Sequence, residues 1–212
     1  MKYDLPPPLL LLDSPPSKSS WKEMVKTKVT IWHERNLREM FLINSKMNYL
    51  NLQLLGLSGQ PHPALMNIYH TQDVRKLRLH LKFLCGDFMS NDRIAKFQSG
   101  SSPACSLCGA AEESYEHVLL LCRATSETRE RLRPDLFNAV HDAFPQCRLL
   151  HYDHPPSIML QFLLDCTSPN LPDDVRVAAQ YPHIFQIFHV ARDWCYGISN
   201  AHYRLIQAKS NN

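Results

Sequence analysis

The 212-residue chain lacks any long apolar run. The longest early stretch, Leu9 to Leu12, is broken by Pro8 and Asp13, well short of the ~20 residues that cross a bilayer. After a single Lys2 it is also too short for the apolar core of a secretory signal. Glycine is scarce, six residues in all, and no segment alternates apolar and polar residues as a half-buried strand does. There is no Gly-rich phosphate loop, no Gly-x-Ser-x-Gly elbow and no carboxylate pair suited to two-metal phosphoryl transfer. The seven cysteines are an odd number without a signal, which argues against a disulfide-stapled secreted scaffold. These absences predict a non-catalytic protein of a reducing compartment, nucleus or cytoplasm, with no membrane partner.

The charge that is present is unevenly placed. Residues 1–100 hold 14 Lys and Arg against 8 Asp and Glu, whereas residues 101–212 hold 9 against 12, so a polyanion partner, RNA or DNA, is expected to meet the first half. Residues 1–18 carry five prolines and predict an extended, disordered leader. Ser20 and Glu23 have capping-box spacing, so a helix is expected from there, with Trp21, Val25, Val29 and Trp32 on one face and Lys22 and Lys26 beside it. The Gly- and Pro-containing segment Gly56 to Pro63 predicts a loop.

A second basic helix is expected at 71–85, capped by Thr71 and ended by Gly86, with an apolar stripe of Val74, Leu77, Leu81 and Leu84. Arg75, Arg78 and Lys82 form an adjoining stripe, and between Glu39 and Asp87 the only carboxylate is Asp73. Further helices are expected near 91–97, over 126–144 with a break at Pro134, and over Ser157 to Cys166. The longest predicted helix is the last, on an apolar stripe of Ile184, Ile187, Phe188, Ala191, Trp194, Cys195, Ile198 and Leu205. The class is therefore mainly α. A basic helical region at 19–100 precedes a small cysteine-histidine insert at 101–123 and a C-terminal helical region at 124–212.

That insert is the strongest local signal. Cys105 and Cys108 are separated by two residues, His117 follows after eight, and Cys122 after four more. A two-residue spacing lets a tight turn point both thiolates inward, Gly109 can adopt the positive φ that closes the turn, and a short helix capped by Ser114 presents His117 and Cys122. Four N/S ligands complete a tetrahedron around one structural zinc ion and leave no position for reactive water. Zinc with three thiolates and a neutral imidazole carries one net negative charge, and Glu112, Glu113 and Glu116 are expected to make the adjacent surface acidic. Phosphate contacts are therefore expected from Lys22, Lys26, Arg75, Arg78 and Lys82, or from Arg123, Arg129, Arg131 and Arg133 beyond the last ligand. His151, Asp153 and His154 read as a solvated loop, and His202 and Cys195 as core residues of the last helix.

The ordered strings Ser17 to Lys22, Val25 and Val29, Leu37-Arg38, Tyr49-Leu50, Pro61-His62-Pro63, Leu84-Cys85-Gly86 and the cysteine cluster resemble the C-terminal region of reverse transcriptases of LINE-type non-LTR retrotransposons. Leu163 to Cys166 and Arg192 to Cys195 are similar to strings that follow the knuckle there, so the resemblance covers about residues 17–207. It implies thumb-like helices and a zinc knuckle that engages template RNA or target DNA, with a polymerase domain in a longer product as partner. It assigns the metal to Cys105, Cys108, His117 and Cys122. The aromatic-x-Asp-Asp polymerase motif and the endonuclease are absent, because Asp173-Asp174 follow Pro172 without that context. The two expectations are a nucleic-acid-binding fragment and, alternatively, a structural or protein-interaction module.

Overall fold

The computed structural model describes the chain except residues 1–3, 44–48, 52–53, 55–61, 67, 151–153, 179–180, 182 and 212. Most of the expected Gly56 to Pro63 loop, and His151 with Asp153, lie outside the described residues. Those described contain seven α-helices and no strand: α1 (Pro8–Asp13), α2 (Lys18–Ile43), α3 (Thr71–Leu84), α4 (Asn91–Phe97), α5 (Ser126–Ala143), α6 (Pro156–Leu164) and α7 (Ile184–Ser210). The protein is mainly helical, and among the described residues no helix is long and apolar enough to cross a membrane.

Several helix starts differ from expectation by a few residues, for local reasons. Proline at the first position needs no donor, so Pro8 opens the six-residue α1 inside the leader that was expected to be extended. The cap is Ser17 and not Ser20, since Ser17 Oγ accepts the Ser20 N–H at 3.2 Å, and α2 starts three residues earlier than the capping-box spacing suggested. At α3 the cap is His70, not Thr71, and Asp73 turns back to accept the His70 N–H at 3.1 Å. That helix ends at Leu84 ahead of Gly86, as expected, but its buried face is Leu77, His80, Phe83 and Leu84 while Val74 lies in solvent. Pro134 does not break α5. Both Pro134 and Glu130, whose carbonyl loses its donor, are exposed, and water can satisfy that carbonyl.

The core forms where α7 packs against α5, α3 and α6. Ile184, Ile187, Phe188, Ala191, Trp194, Cys195 and Ile198 are buried on α7 against Leu136 and Val140 of α5, Phe83 and Leu84 of α3, and Leu160 and Leu163 of α6. The expected stripe holds except at Leu205, which is exposed where His202 turns inward.

A buried polar hub ties distant segments to this core. Asp165 follows α6 and is fully buried. One of its oxygens accepts the Asn51 N–H at 2.6 Å and pairs with His62 Nε2 at 3.2 Å, and the other accepts from Thr167 N and Oγ1 at 3.0 and 2.6 Å. Asn51 Nδ2 also donates to the Thr167 carbonyl at 2.8 Å, Gln161 Nε2 to Tyr49 O at 2.7 Å, and Arg192 to Met66 O at 3.4 Å. His62 and Asp165, from two strings that are 103 residues apart, thus meet in one network.

Candidate metal centre

Two backbone contacts shape the loop that carries the first pair of cysteines. Cys105 N–H donates to Ala110 O at 2.8 Å and Gly109 N–H to Cys105 O at 2.9 Å, and Gly109 takes φ 76° with nothing near the place a Cβ would occupy. Glycine is needed there for its backbone conformation, not for space. Further on, Glu113 N–H donates to Pro103 O at 2.8 Å and closes the loop.

The second pair depends on an unusual turn. Ser114 Oγ accepts the His117 N–H at 3.2 Å, and the chain then widens into a π-helical segment, His117–Leu121, closed by the Cys122 N–H on His117 O at 2.7 Å. Residues five apart point well away from each other on an α-helix. The wider π turn brings them toward one side, which is why His117 and Cys122 face the same point. The five-residue spacing in the sequence carried this signal.

The four donor atoms lie within 4.8 Å of one another and can hold a metal ion. Cys105 Sγ and Cys122 Sγ are 3.9 Å apart, and Cys108 Sγ and His117 Nε2 3.3 Å. A tetrahedral ion with metal–sulfur bonds of ~2.3 Å and metal–nitrogen bonds of ~2.0–2.1 Å sets these separations at about 3.8 and 3.6 Å, so the set is close to ligand geometry. Burial pushes the Cys105 thiol up to about 12 and raises Cys122 above the ordinary thiol range. Burial acts the same way on Cys108, but the Ala110 N–H and the neighbouring thiols hold it below that range. Burial also lowers His117 and keeps its imidazole neutral, as a ligand requires. Backbone N–H groups of Leu107 and Cys108 reach the Cys105 sulfur, and that of Ala124 reaches Cys122, which offsets part of the cost that burial places on negative sulfur.

The expected acidic surface keeps Glu112, which is exposed, and Glu116, which is half-buried, but loses Glu113. Glu113 is 3 % exposed, turned inward against Cys105, with His202 Nε2 of α7 3.3 Å from its Oε2 and the Asn91 N–H on its Oε1 at 3.2 Å. His202 is thus more than a packed core residue. Nothing in the local sequence pairs Glu113 with a residue 89 positions on. Lys209 Nζ, on the last turns of α7, donates to Ser106 O at 2.5 Å. Trp194 Nε1 donates to Leu119 O at 3.2 Å, so α7 braces both halves of the centre.

None of the expected phosphate contacts belongs to the metal centre, although Lys82 lines the cavity that Glu113 and His202 also line. Lys22, Lys26, Arg75, Arg78 and Lys82 are all exposed, and none has an ion-pair partner among the described residues. Lys76 lies off the α3 stripe, on the side of that helix turned toward α7, and is neutralised by Asp193 at 2.6 Å. Beyond Cys122, Arg123 and Arg131 are exposed, Arg133 pairs with Glu130, and Arg129 is drawn in to donate to Thr125 Oγ1 at 2.8 Å. His154 reaches Arg148 O at 3.3 Å. Comparison with protein-family models, with curated proteins and with solved structures finds no match to the chain.

Proposed function

We propose that the chain is a non-catalytic, zinc-binding helical module that binds RNA or DNA, and that it corresponds to the C-terminal part of a LINE-type reverse transcriptase. Zinc is the ion of choice because three thiolates and one imidazole at near-tetrahedral separations form a closed, soft donor set. The knuckle braces the helices, and the unmatched cations of α2 and α3 meet phosphate. The observation that carries this reading is the row Arg75, Arg78 and Lys82, exposed and without an acid partner among the described residues, whereas Lys76 on the α7-facing side of the helix is neutralised. The retroelement origin rests on the ordered strings of the sequence.

Fluorescence anisotropy of labelled single-stranded and duplex oligonucleotides against salt tests it. Each phosphate contact contributes about 0.7 to the log–log slope on single strands and 0.9 on duplex DNA, so replacing Arg75, Arg78 and Lys82 by Gln is expected to flatten the slope by about two to three and to weaken binding to all sequences alike. Unchanged affinity and slope refute it.

One observation favours a second reading, a protein-interaction module. Trp21, Val25, Val29 and Trp32 on α2 are only half-buried, and Ile31 is 47 % exposed, so this helix offers apolar surface beside its lysines. Oligonucleotide binding lost on substitution of the α3 stripe decides against it.

A further inference from the structure

On the inner side of the knuckle, Cys105 is shared by two groups of donor atoms. The second consists of Cys105 Sγ, Glu113 and His202, all buried, with donor atoms again within 4.8 Å of one another. Glu113 and His202 are 3 % and 5 % exposed, yet His202 Nε2 and Glu113 Oε2, though 3.3 Å apart, lack hydrogen-bond alignment, and neither atom has another partner. A buried ion pair offsets its desolvation only when its hydrogen bonds are well directed. Two unaligned donors that both stand beside a thiol are arranged instead as neighbouring ligands aimed at a third point. Bonds of ~2.0–2.1 Å in a tetrahedron set N and O about 3.3 Å apart, which is the separation found.

We propose that Cys105, Glu113 and His202 form a second zinc(II) position that shares the Cys105 thiolate with the knuckle ion and keeps its fourth coordination position for an exchangeable oxygen donor. Charge supports it. One zinc ion with three thiolates and the Glu113 carboxylate leaves two net negative charges in a buried cluster, and a second divalent ion cancels both. The mixed sulfur, nitrogen and oxygen set suits zinc better than magnesium or calcium. The fourth position has room. Glu113 and His202 line a cavity of about 510 Å³ together with Ser199 and Lys82, and the Ser199 hydroxyl is buried there without a partner. Water or another small oxygen donor fits a site that carries an unpartnered hydroxyl. Three protein ligands and one exchangeable position distinguish this site from the closed knuckle.

The proposal rests on the knuckle reading through Cys105 alone. The full chain, purified in reducing buffer, saturated with zinc and desalted, is to be assayed for metal by mass spectrometry and titrated with cobalt(II). Two ions per wild-type chain are expected, and one in Glu113→Gln and in His202→Gln, with helical circular dichroism retained in the near-isosteric Glu113→Gln. Cobalt is expected to enter in two phases, the first with the intense charge-transfer band of three thiolates. Saturation of the wild-type chain at one ion, or Glu113→Gln binding as many ions as wild type, overturns the second position and leaves the knuckle standing. No bound ion in any form overturns both.

Discussion

Asp165→Ala removes the acceptor of four buried contacts at once. The Asn51 and Thr167 N–H groups, the Thr167 hydroxyl and His62 Nε2 all turn to its two oxygens, and Asp165 is wholly shielded from water. His62 cannot turn elsewhere, because its Nδ1 accepts the Ala64 N–H at 3.1 Å and the proton therefore sits on Nε2. Each buried donor left unmatched costs about 1–3 kcal/mol, so with four donors losing their acceptor the variant is expected to lose ~4 kcal/mol. A domain has only about 5–15 kcal/mol in total. With a urea dependence of ~2 kcal/mol/M, the midpoint of unfolding followed by circular dichroism falls by about 2 M. Asp173→Ala, which removes an exposed partner of Arg176, should change stability by less than ~0.5 kcal/mol. A loss below ~1 kcal/mol for Asp165→Ala refutes the hub as the tie that holds Asn51 and His62 to the end of α6.

Removal of a knuckle ligand is the second test: Cys108→Ser is expected to lose zinc and the amide-exchange protection of residues 103–123, because closed sites contribute ~10–16 kcal/mol of apparent binding energy, while Cys147→Ser, far from the ligands, keeps both. Unequal effects are essential, and equal zinc content in the two variants refutes the ligand assignment. His80 supplies a pH dependence, since burial lowers its pKa from 6.5 to about 4 in the folded protein. The unfolded chain takes up the proton first as pH falls, so stability drops between pH 6.5 and about 4 by up to ~3 kcal/mol and levels off below. His80→Gln is expected to remove that part of the slope in urea titrations at pH 7 and pH 5, and an unchanged slope refutes it. Pro134→Ala restores a donor to the Glu130 carbonyl inside α5 and is expected to raise stability by ~1 kcal/mol, net of the greater freedom of the unfolded chain, seen as a thermal midpoint higher by a few degrees. A lower midpoint contradicts this account of the uninterrupted helix.

The sequence by itself determined what repeats or closes locally. The three- and four-residue steps of Ile184 to Ile198 placed the central helix, the paired cysteines with Gly109 marked the loop that carries half the centre, and the spacing of His117 and Cys122 marked the other half. Caps were displaced by three residues at α2 and by one at α3, because neighbouring polar residues such as Ser17 and His70 compete for the same backbone groups. Proline misled in both directions, since its local cost depends on whether its helix position needs a donor and whether the freed carbonyl meets water. Only the tertiary structure decided which of three nearby glutamates turns inward and which distant histidine faces it. Glu113 looks no different from Glu112 in the sequence, and α7 must fold back across 89 residues before His202 reaches it. The same holds for His62 and Asp165: a buried polar pair between remote segments leaves no periodicity, because its energy comes from a contact that exists only once the core has closed.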